Sequence, residues 1–357
     1  MSAISLVPHS LQGMLRKPPH EPFPNIIGTF MGRDALRIAA DSLNLLHDES
    51  VLFPAYLCGE VSKPFLSRCC LEFYDINESL IISPDVIQKR ISECRPKALI
   101  TINYFGIVQP FKNEIRNICS KENVVLIEDC AHSLLSDGSG ETGDICIYSF
   151  RKTLPIPDGG GVRFSKSGYF SNHSSSINFY PTLVSNLLTL LVVAKLRLNI
   201  RNEKLSRSGG ADRKVADSRE TIPPQNYTIR KRLRLSNLTR NRIGNISLDE
   251  IVNRRRTDYQ YWNDIIETEN FGGLTPLFKQ LPEGACPIGF PIRSTDRTKL
   301  LKTLGGKGTF LKKYWRLPSM VGAEFMQSHQ LAREVFTLPV FPELNDRDKN
   351  NILAVLN

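Results

Sequence analysis

The sequence lacks a long apolar run, a paired-cysteine motif and a leader-like start, and each absence excludes a class of protein. No stretch of its 357 residues reaches the roughly 18 to 20 consecutive apolar residues of a membrane-spanning helix. The eight cysteines form no C-x-x-C pair and show no zinc-like spacing with the six histidines, so we expect no metal site. The start of the chain has no compact apolar run followed by a cleavage site. We therefore expect a cytoplasmic protein.

Acidic residues are in the minority, because 36 Asp and Glu face 46 Lys and Arg and leave a formal charge of +10. A positive balance suits nucleic acid, an anionic membrane surface or a small anionic substrate, and composition does not choose among them. Hydrophobic residues make up 41% of the chain, which is enough to form a sizeable core. The composition excludes collagen-like, low-complexity and wholly disordered proteins.

Short apolar segments alternate with amphipathic ones through the first half of the chain. A short apolar run is typical of a buried strand, whereas apolar residues at spacings of three and four predict a helix. The strand-like segments are 51–58, 71–76, 97–105, 123–130, 144–150 and 161–165, and the helix-like segments are 34–46, 84–93 and 111–122. This alternation predicts an α/β fold: a three-layer α/β/α large domain with a mostly parallel sheet.

Changes in composition along the chain divide it into three predicted parts. Residues 1–27, which are polar and contain several prolines, are typical of an N-terminal arm. Residues 28–245 form the predicted large domain, in which 165–224 is a variable, insertion-like segment. Residues 246–357 are predicted to form a small C-terminal α+β domain. Its predicted elements are helices at 246–267, 296–304 and 345–356 and a strand at 286–292.

The residues between 124 and 162 contain the side chains most suited to chemistry. Asp129 lies at the end of one predicted strand, Ser149 and Lys152 follow the next, and a triple glycine occupies 159–161. In a parallel sheet, ligands bind beyond the carboxyl ends of the strands, which is where these residues fall. A lysine amine forms a Schiff base with a carbonyl when it is neutral, and a nearby cation such as Arg151 favours that state. The segment therefore predicts an anion-binding site that contains an amine.

Five short motifs resemble, in order and approximate spacing, those of the DegT/StrS-type sugar aminotransferases. They are TFMGRDAL at 29–36, PAYLC at 54–58, INYFG at 102–106, EDCAHS at 128–133 and SFRKTLPIPDGGG at 149–161. Members of this family are pyridoxal 5'-phosphate (PLP) enzymes with the aspartate aminotransferase type fold. The resemblance extends from about Gly28 to the end of the chain and is weakest across 165–224.

The resemblance implies four residues around the cofactor ring. Asp129 pairs with the pyridine nitrogen, and a carboxylate there raises the pKa of that nitrogen by roughly 1 to 3 units. Lys152 carries the cofactor as an internal aldimine and then moves protons as general acid and base. Tyr56 lies over the ring, and His132, three residues after Asp129, contacts the cofactor. Asp129 and Lys152 are the implied catalytic pair.

The same resemblance implies where the cofactor phosphate binds. Gly32, Arg33 and Asp34 correspond to a turn that opens a helix, and backbone N–H groups at a helix N-terminus favour an anion. Ser149 matches the family's phosphate-binding serine. The interval from Ser149 to Lys152 is two residues shorter than in the common form, so Lys152 has to reach the ring from a tighter turn flanked by Pro155 and Pro157.

For substrate and partners, the resemblance implies a nucleotide-linked keto sugar, an amino donor that we expect to be glutamate, and a homodimer with shared active sites. Asn103 and Tyr104, in the segment where the family has an H-x-Y-G pattern, and Arg316, in YWRLP, are the candidate substrate-binding residues. Arg254, Arg255 and Arg256 are, with Arg316, the candidates for a contact with the substrate diphosphate. Asn226 is the candidate for a phosphate ligand contributed by the partner subunit. Polysaccharide biosynthesis is the implied setting.

Two other functions stay open at this stage. One is another PLP reaction on a sugar nucleotide, such as dehydration, although the dehydrating members replace the lysine with histidine. The other is a non-catalytic homologue that binds or regulates. The apolar segment 183–194, followed by basic residues up to position 200 and beyond, suits a buried helix, a subunit interface or peripheral membrane contact. The basic runs 230–235 and 253–256 lack interleaved aromatics, so we expect no nucleic-acid partner.

Overall fold

A computed structural model describes residues 23–165, 177, 179–206, 232–269, 271, 273–294, 312–342, 344 and 346–356. Within them, one seven-stranded sheet is formed before residue 165 and one four-stranded sheet after residue 273. Helices from the first half pack against the larger sheet. The predicted α/β fold class, with a mostly parallel sheet and a smaller C-terminal α+β part, is confirmed.

The larger sheet has the strand order β1-β7-β6-β5-β4-β2-β3. Its strands are β1 (Ile27–Thr29), β2 (Ser50–Pro54), β3 (Cys70–Tyr74), β4 (Ala98–Ile102), β5 (Val125–Asp129), β6 (Ile145–Tyr148) and β7 (Gly160–Phe164). Strands β2 to β6 run parallel, while β7 and β1 add an antiparallel edge. Because Ile102, Asp129 and Ile147 are neighbours in register, the residues that follow β4, β5 and β6 meet at one edge.

Five short helices accompany these strands in the described residues. They are α1 (Gly32–Ser42), α2 (Gly59–Ser62), α3 (Pro84–Cys94), α4 (Lys112–Lys121) and α5 (Phe150–Thr153). The predicted helix at 34–46 begins two residues earlier because Asp34 is not its first residue but a capping residue in its first turn. It ends at Ser42, and Asn44 has a positive φ of 47° that no α-helix accommodates.

The predicted strands at 51–58 and 97–105 are longer than the observed ones. Strand β2 ends at Pro54, and the residues that follow it, from Ala55 on, do not continue the strand. Strand β4 ends at Ile102, and Tyr104–Gly106 forms a 3₁₀ turn in which Phe105 has a φ of 55°. Apolar character alone placed these residues in strands. They are buried because other parts of the chain cover them, so their composition resembles that of a strand.

The second half of the chain contains helices and a small antiparallel sheet. The helices are α6 (Thr182–Ser206), α7 (Asn237–Ile243), α8 (Leu248–Thr268), α9 (Met326–Glu334) and α10 (Asp346–Leu356), and the strands are β8 (Leu274–Pro276), β9 (Phe290–Ser294), β10 (Lys312–Lys313) and β11 (Val335–Leu338). The sheet order is β10-β11-β9-β8. The predicted helix at 296–304 lies outside the described residues, as do residues 1–22 of the predicted arm. The domain boundaries stay predictions.

Helix α8 packs its aromatic face on the small sheet. Trp262 is fully buried and its indole N–H donates to the Pro339 carbonyl at 2.9 Å, while the rings of Tyr259 and Phe290 lie 4.7 Å apart. Before β9, the segment at 286–289 turns back to the large sheet, where the Ile288 N–H donates to the Phe105 carbonyl at 3.3 Å. The predicted strand at 286–292 therefore begins later, at Phe290.

Helix α6 has one buried and one exposed side. Ser185, Thr189 and Val193 are buried, whereas Leu183, Leu187 and Leu191 are 58%, 54% and 66% exposed. The three leucines are four residues apart and therefore share a helical face. Helix α6 is thus not a wholly buried helix. No helix in the described part of the chain has both the length and the apolar character needed to cross a membrane.

Candidate functional site

The start of α1 lies directly against the segment after β6. A methyl group at Gly32 would come within 3.3 Å of the Ser149 Cβ and 3.6 Å of its Oγ. At Gly160, a Cβ would lie 2.3 Å from the Gly32 nitrogen and 2.4 Å from the Met31 carbonyl carbon. Glycine at 160 is therefore required for this approach. The structure brings the predicted phosphate-binding Gly32 and Ser149 together at a helix N-terminus.

The carboxylate of Asp34 has a structural role at this helix start. It accepts the Met31 N–H at 3.1 Å and the Arg37 guanidinium at 3.4 Å, and only 1% of the residue is exposed. Burial raises the pKa of Asp34 to about 6, against the lowering effects of Arg37 and Arg33. The Asp34 N–H bonds to the Met31 carbonyl at 3.0 Å. Gly32 and Arg33, unlike Asp34, are partly exposed at this helix start.

Asp129 occupies the end of β5 with its carboxylate turned into the protein. It is 5% exposed, and its Oδ1 accepts the Ala131 N–H at 2.9 Å. Burial raises the pKa of Asp129, while the positive charge of Lys152 and the Ala131 hydrogen bond lower it. This interaction shows that Lys152 and Asp129, predicted as the catalytic pair, lie within electrostatic reach of each other.

Lys152 lies on the single-turn helix α5 and its side chain is exposed. Its N–H donates to the Ser149 carbonyl at 3.3 Å, so the predicted phosphate and amine residues belong to one hydrogen-bonded turn. The carbonyls of Lys152 and Thr153 accept hydrogen bonds from Arg255 of α8, at 3.2 Å and 2.8 Å. Arg255 is one of three arginines predicted as candidates for a substrate contact, and it is buried and bonds backbone carbonyls instead.

A cluster of aromatic rings fills the space between β2, β4, β5 and the segment after β10. The ring of Trp315 lies 5.2 Å from that of Tyr56, 6.1 Å from that of Tyr104 and 5.2 Å from that of His132. The Tyr104 hydroxyl donates to the Tyr56 carbonyl at 2.7 Å, and the Tyr56 hydroxyl donates to the Tyr314 carbonyl. Tyr56 is fully buried, so a planar ligand could lie on its ring only after Trp315 or Tyr104 moved.

His132 and Tyr104 are supported from within the same cluster. The Nδ1 of His132 accepts the Phe105 N–H at 3.4 Å, and the residue is 2% exposed. Burial raises the pKa of Tyr104 well above its ordinary value, and the negative charge of Asp129 acts in the same direction. Tyr104 therefore stays protonated and donates a hydrogen bond. Both residues lie near Asp129, but neither is exposed to solvent.

The structure corrects the expectation that Asn103 binds substrate. Its amide NH₂ donates to the Glu128 Oε1 at 2.9 Å, and its Oδ1 accepts the Gln109 N–H at 3.1 Å. Glu128 in turn accepts the backbone N–H groups of Gly140, Thr142 and Gly143, at 2.7 to 3.2 Å. Asn103 is 1% exposed and so belongs to a buried network that shapes the sheet edge. The Asn103 amide therefore has a structural role.

Arg316 and Asn226 are the remaining predicted site residues. Arg316 is exposed and follows Trp315 directly, so it borders the aromatic cluster. Asn226 lies outside the described residues. In the described part of the chain, no group of three His, Cys, Asp or Glu side chains could hold a metal ion.

Sequence reasoning missed Trp315 and the contacts that Arg255 and Glu128 make. Trp315 is one of only two tryptophans and precedes the residue that was predicted, which is a usable signal. Glu128 precedes Asp129 in an otherwise apolar strand, and a charge there predicts buried hydrogen-bond donors. Arg255 is the middle of three consecutive arginines, and its spacing of four residues from both Ile251 and Tyr259 puts it on the apolar face of the predicted helix.

The residues present fit PLP at its two ends. The start of α1 is partly exposed and lies against Ser149, an arrangement that suits a phosphate. The buried carboxylate of Asp129 suits a protonated ring nitrogen, and Lys152 supplies an amine within its electrostatic reach. The close contact of Gly160 with Gly32 keeps the two ends at the same sheet edge.

Residues 25–173 match the model of the DegT/DnrJ/EryC1/StrS aminotransferase family. The family resemblance is confirmed over this stretch. A GDP-perosamine synthase of Vibrio cholerae is 26% identical over 139 residues, which are 37% of this chain and 37% of the relative. The match therefore spans little more than a third of that relative's length.

Solved structures extend the fold comparison to nearly the whole chain. A DegT DnrJ EryC1 StrS aminotransferase from Brucella abortus superposes with a TM-score of 0.65 at 18% identity, covering 93% of this chain and 84% of that one. NtdA from Bacillus subtilis, solved with bound cofactor PMP, gives a TM-score of 0.65 at 18% identity, covering 93% and 72%. At these identities the likeness shows the fold.

Proposed function

We propose that the chain is a PLP-dependent aminotransferase that transfers an amino group, from glutamate, to a keto group of a nucleotide-linked sugar. What supports this most is the approach of Gly32 to Ser149 at the start of α1, beside a buried Asp129 carboxylate whose pKa the charge of Lys152 lowers. The matched relative makes GDP-perosamine, and a structural neighbour binds PMP. Both agree with the proposal.

Each residue has a distinct task in this proposal. When bound, PLP supplies an electron sink for the carbon that loses a proton. The Asp129 carboxylate holds a proton on the ring nitrogen, and a cationic ring beside it would restore the ionised state that burial disfavours. Lys152 attaches the cofactor covalently and moves the proton at its Nζ, a role worth about 10² to 10⁴ in rate.

The N-terminus of α1 and Ser149 hold the phosphate. The helix dipole and the N–H groups of its first turn attract the anion, and Ser149 donates from its hydroxyl. The net charge of +10 favours capture of a diphosphate-bearing substrate, with Arg316 as the exposed cation at the edge of the aromatic cluster.

We also propose that the enzyme is a homodimer and that a second copy covers the exposed leucines of α6. Leu183, Leu187 and Leu191 form a contiguous apolar strip of the kind that subunit contacts bury. The alternative occupant is an anionic membrane surface, because Lys195 and Arg197 continue the helix with positive charge.

Direct assay tests the reaction. Purified protein with PLP is offered keto-sugar nucleotides and glutamate, and the amino-sugar product is measured with Lys152→Ala as the control. We expect product from the native protein and at least a 10²-fold loss in the variant. Equal rates in the two proteins would contradict the role of Lys152.

A non-catalytic function has one observation in its favour. Trp315 contacts Tyr56 and His132, the two rings expected next to the cofactor. If Trp315 excludes the cofactor, Trp315→Ala should take up PLP and the native protein should not. Uptake by both proteins with similar affinity would exclude this alternative.

A further inference from the structure

The side chain of Arg255 joins the C-terminal part of the chain to the turn that contains Lys152. It leaves α8, is 2% exposed, and donates to three backbone carbonyls. Its Nη2 bonds Lys152 O at 3.2 Å and Thr153 O at 2.8 Å, and its Nη1 bonds Pro287 O at 2.7 Å. A guanidinium has five N–H donors in a rigid plane, so three such bonds fix its orientation.

The two carbonyls of the Lys152 turn need an external donor. Helix α5 is a single turn, and Leu154 after it is extended, with φ −100° and ψ 148°. The last carbonyls of a helix have no partner within the helix, and leaving a buried carbonyl unbonded costs about 1 to 3 kcal/mol. A charged donor also gives a stronger hydrogen bond than a neutral one. Arg255 therefore completes the C-terminal end of α5.

These bonds hold the backbone from which the Lys152 side chain leaves. The side chain is exposed, and its positive charge acts on Asp129. Its backbone is held from one side by the N–H bond to Ser149 and from the other by Arg255. The bond to Pro287 connects the turn to the segment that also bonds Phe105, the residue whose N–H reaches His132.

We propose that Arg255 is a positioning residue that orients the Lys152 amine toward Asp129. It acts through the peptide groups of residues 152 and 153 and does not touch the reacting atoms. This inference rests on the proposed function, in which Lys152 is the cofactor-binding amine. A displacement of about 1 Å at a reacting group costs on the order of a hundredfold in rate.

Arg256 offers a matched control on the next position of the same helix. Its Nη1 also donates to backbone carbonyls, of Pro282 at 3.0 Å and Ala285 at 2.8 Å, but neither belongs to the Lys152 turn. Substitution of either arginine removes one charge and the hydrogen bonds to carbonyls. Only substitution of Arg255 releases the turn.

The experiment compares Arg255→Gln, Arg255→Lys and Arg256→Gln with the native protein in two measurements. The first, without cofactor, is the rate at which a neutral acylating reagent modifies Lys152, followed by peptide mass spectrometry across pH 6 to 10. The second is the equilibrium constant and rate of PLP attachment at Lys152, fixed with borohydride. Thermal unfolding of each variant checks that it is folded.

We expect Arg255→Gln to change the Lys152 acylation profile and to weaken PLP attachment by on the order of tenfold or more. Arg255→Lys keeps the charge and an N–H donor group but loses the planar guanidinium, so it should recover part of the loss, while Arg256→Gln should stay within about twofold of the native protein. Native acylation and attachment in both Arg255 variants would overturn the inference, as would equal losses in Arg256→Gln.

The two measurements also separate this inference from the proposed function. If the native protein forms no adduct at Lys152, the aminotransferase proposal fails. The acylation profile of the cofactor-free protein still decides whether Arg255 orients that amine. An unfolded Arg255→Gln variant leaves Arg255→Lys, which preserves the charge, to give the same decision.

Discussion

Asp158 is a fully buried carboxyl that connects the glycine turn before β7 to helices α6 and α7. It accepts a hydrogen bond from Thr189 at 2.8 Å and another from Thr239, and Ser236 also donates to it. The Thr189 hydroxyl has one proton and also lies 2.8 Å from the Ser185 carbonyl. If the Thr189 hydroxyl donates its proton to the Ser185 carbonyl, the Asp158 carboxyl has to be protonated and donate to the Thr189 oxygen. This arrangement agrees with a pKa that burial raises to about 7.

The raised pKa of Asp158 predicts a pH-dependent stability. The folded state binds the proton more tightly than the unfolded state, whose pKa is near 3.8, so this contribution is complete below that value and is lost as pH rises toward 7. Asp158→Asn removes the titration while keeping the shape. Urea unfolding measures the free energy of unfolding of both proteins. The value for the variant minus that for the native protein should rise by about 1 to 3 kcal/mol from pH 5 to pH 8. A pH-independent difference would refute this account.

Asp129 allows a prediction that separates function from stability. An ionised carboxylate at this buried position is costly in the cofactor-free protein, because burial raises its pKa. Asp129→Asn should therefore unfold at the same or higher urea concentration. Transamination should fall by about 10² or more, because a neutral amide does not keep the ring nitrogen protonated. A variant that is both unstable and inactive would indicate a structural role instead.

The sequence was enough to predict where side chains that follow a strand lie, but not the contacts that they make with groups distant in the chain. Asp129, Ser149 and Lys152 were predicted because parallel strands bring their ends together. Asn103 occupies the same kind of position, but its amide is directed by Glu128, whose backbone donors come from residues 140–143. A motif gives the position of a residue, whereas its contacts depend on the loops that cover it.

At the scale of elements, the contact between α1 and β7 is the closest approach near the candidate phosphate site. Gly160→Ala would place a Cβ 2.3 Å from the Gly32 nitrogen, so the backbones would have to separate. We expect a loss of about 1 to 3 kcal/mol in unfolding free energy and weaker binding of inorganic phosphate.

Gly244→Ala is the matched control for that substitution. A Cβ at Gly244 has its nearest neighbour at 3.7 Å, and the backbone there is helical, with φ −61° and ψ −14°. Its effect should stay within about 0.5 kcal/mol. If the two variants unfold alike, the close approach of α1 and β7 contributes nothing to stability.

The exposed face of α6 makes a prediction about assembly. Leu187→Gln with Leu191→Gln replaces two leucines that are 54% and 66% exposed, so the monomer should keep its stability. Light scattering should show a dimer for the native protein and a larger monomer fraction for the variant. If the native protein instead sediments with anionic vesicles and the variant does not, the face binds lipid.

The boundaries of elements were harder to predict than their order. The alternation of apolar and amphipathic segments was enough for the parallel sheet, because each buried strand leaves a continuous apolar run. The short strands β10 and β11 and helix α9 were not predicted. Lys312–Lys313 has no strand-like composition, and its pairing depends on β11 as a partner.

Across the whole molecule, the C-terminal part contacts the candidate site residues of the N-terminal part. Trp315 covers the rings of Tyr56 and His132, Arg255 bonds the Lys152 turn, and Ile288 bonds Phe105. These contacts join residues more than a hundred positions apart, so spacing and periodicity could not reveal them. The fold comparison covers 93% of the chain, whereas the family match ends at residue 173.

The covalent attachment of PLP to Lys152 is the central claim, and one measurement tests it most directly. The purified protein is incubated with PLP, its absorbance spectrum is recorded, and the mixture is reduced with borohydride and digested for peptide mass spectrometry. We expect an absorbance band that borohydride abolishes and a reduced PLP adduct on Lys152 alone. A colourless protein, or an adduct spread over surface lysines and unchanged in Lys152→Ala, would contradict it.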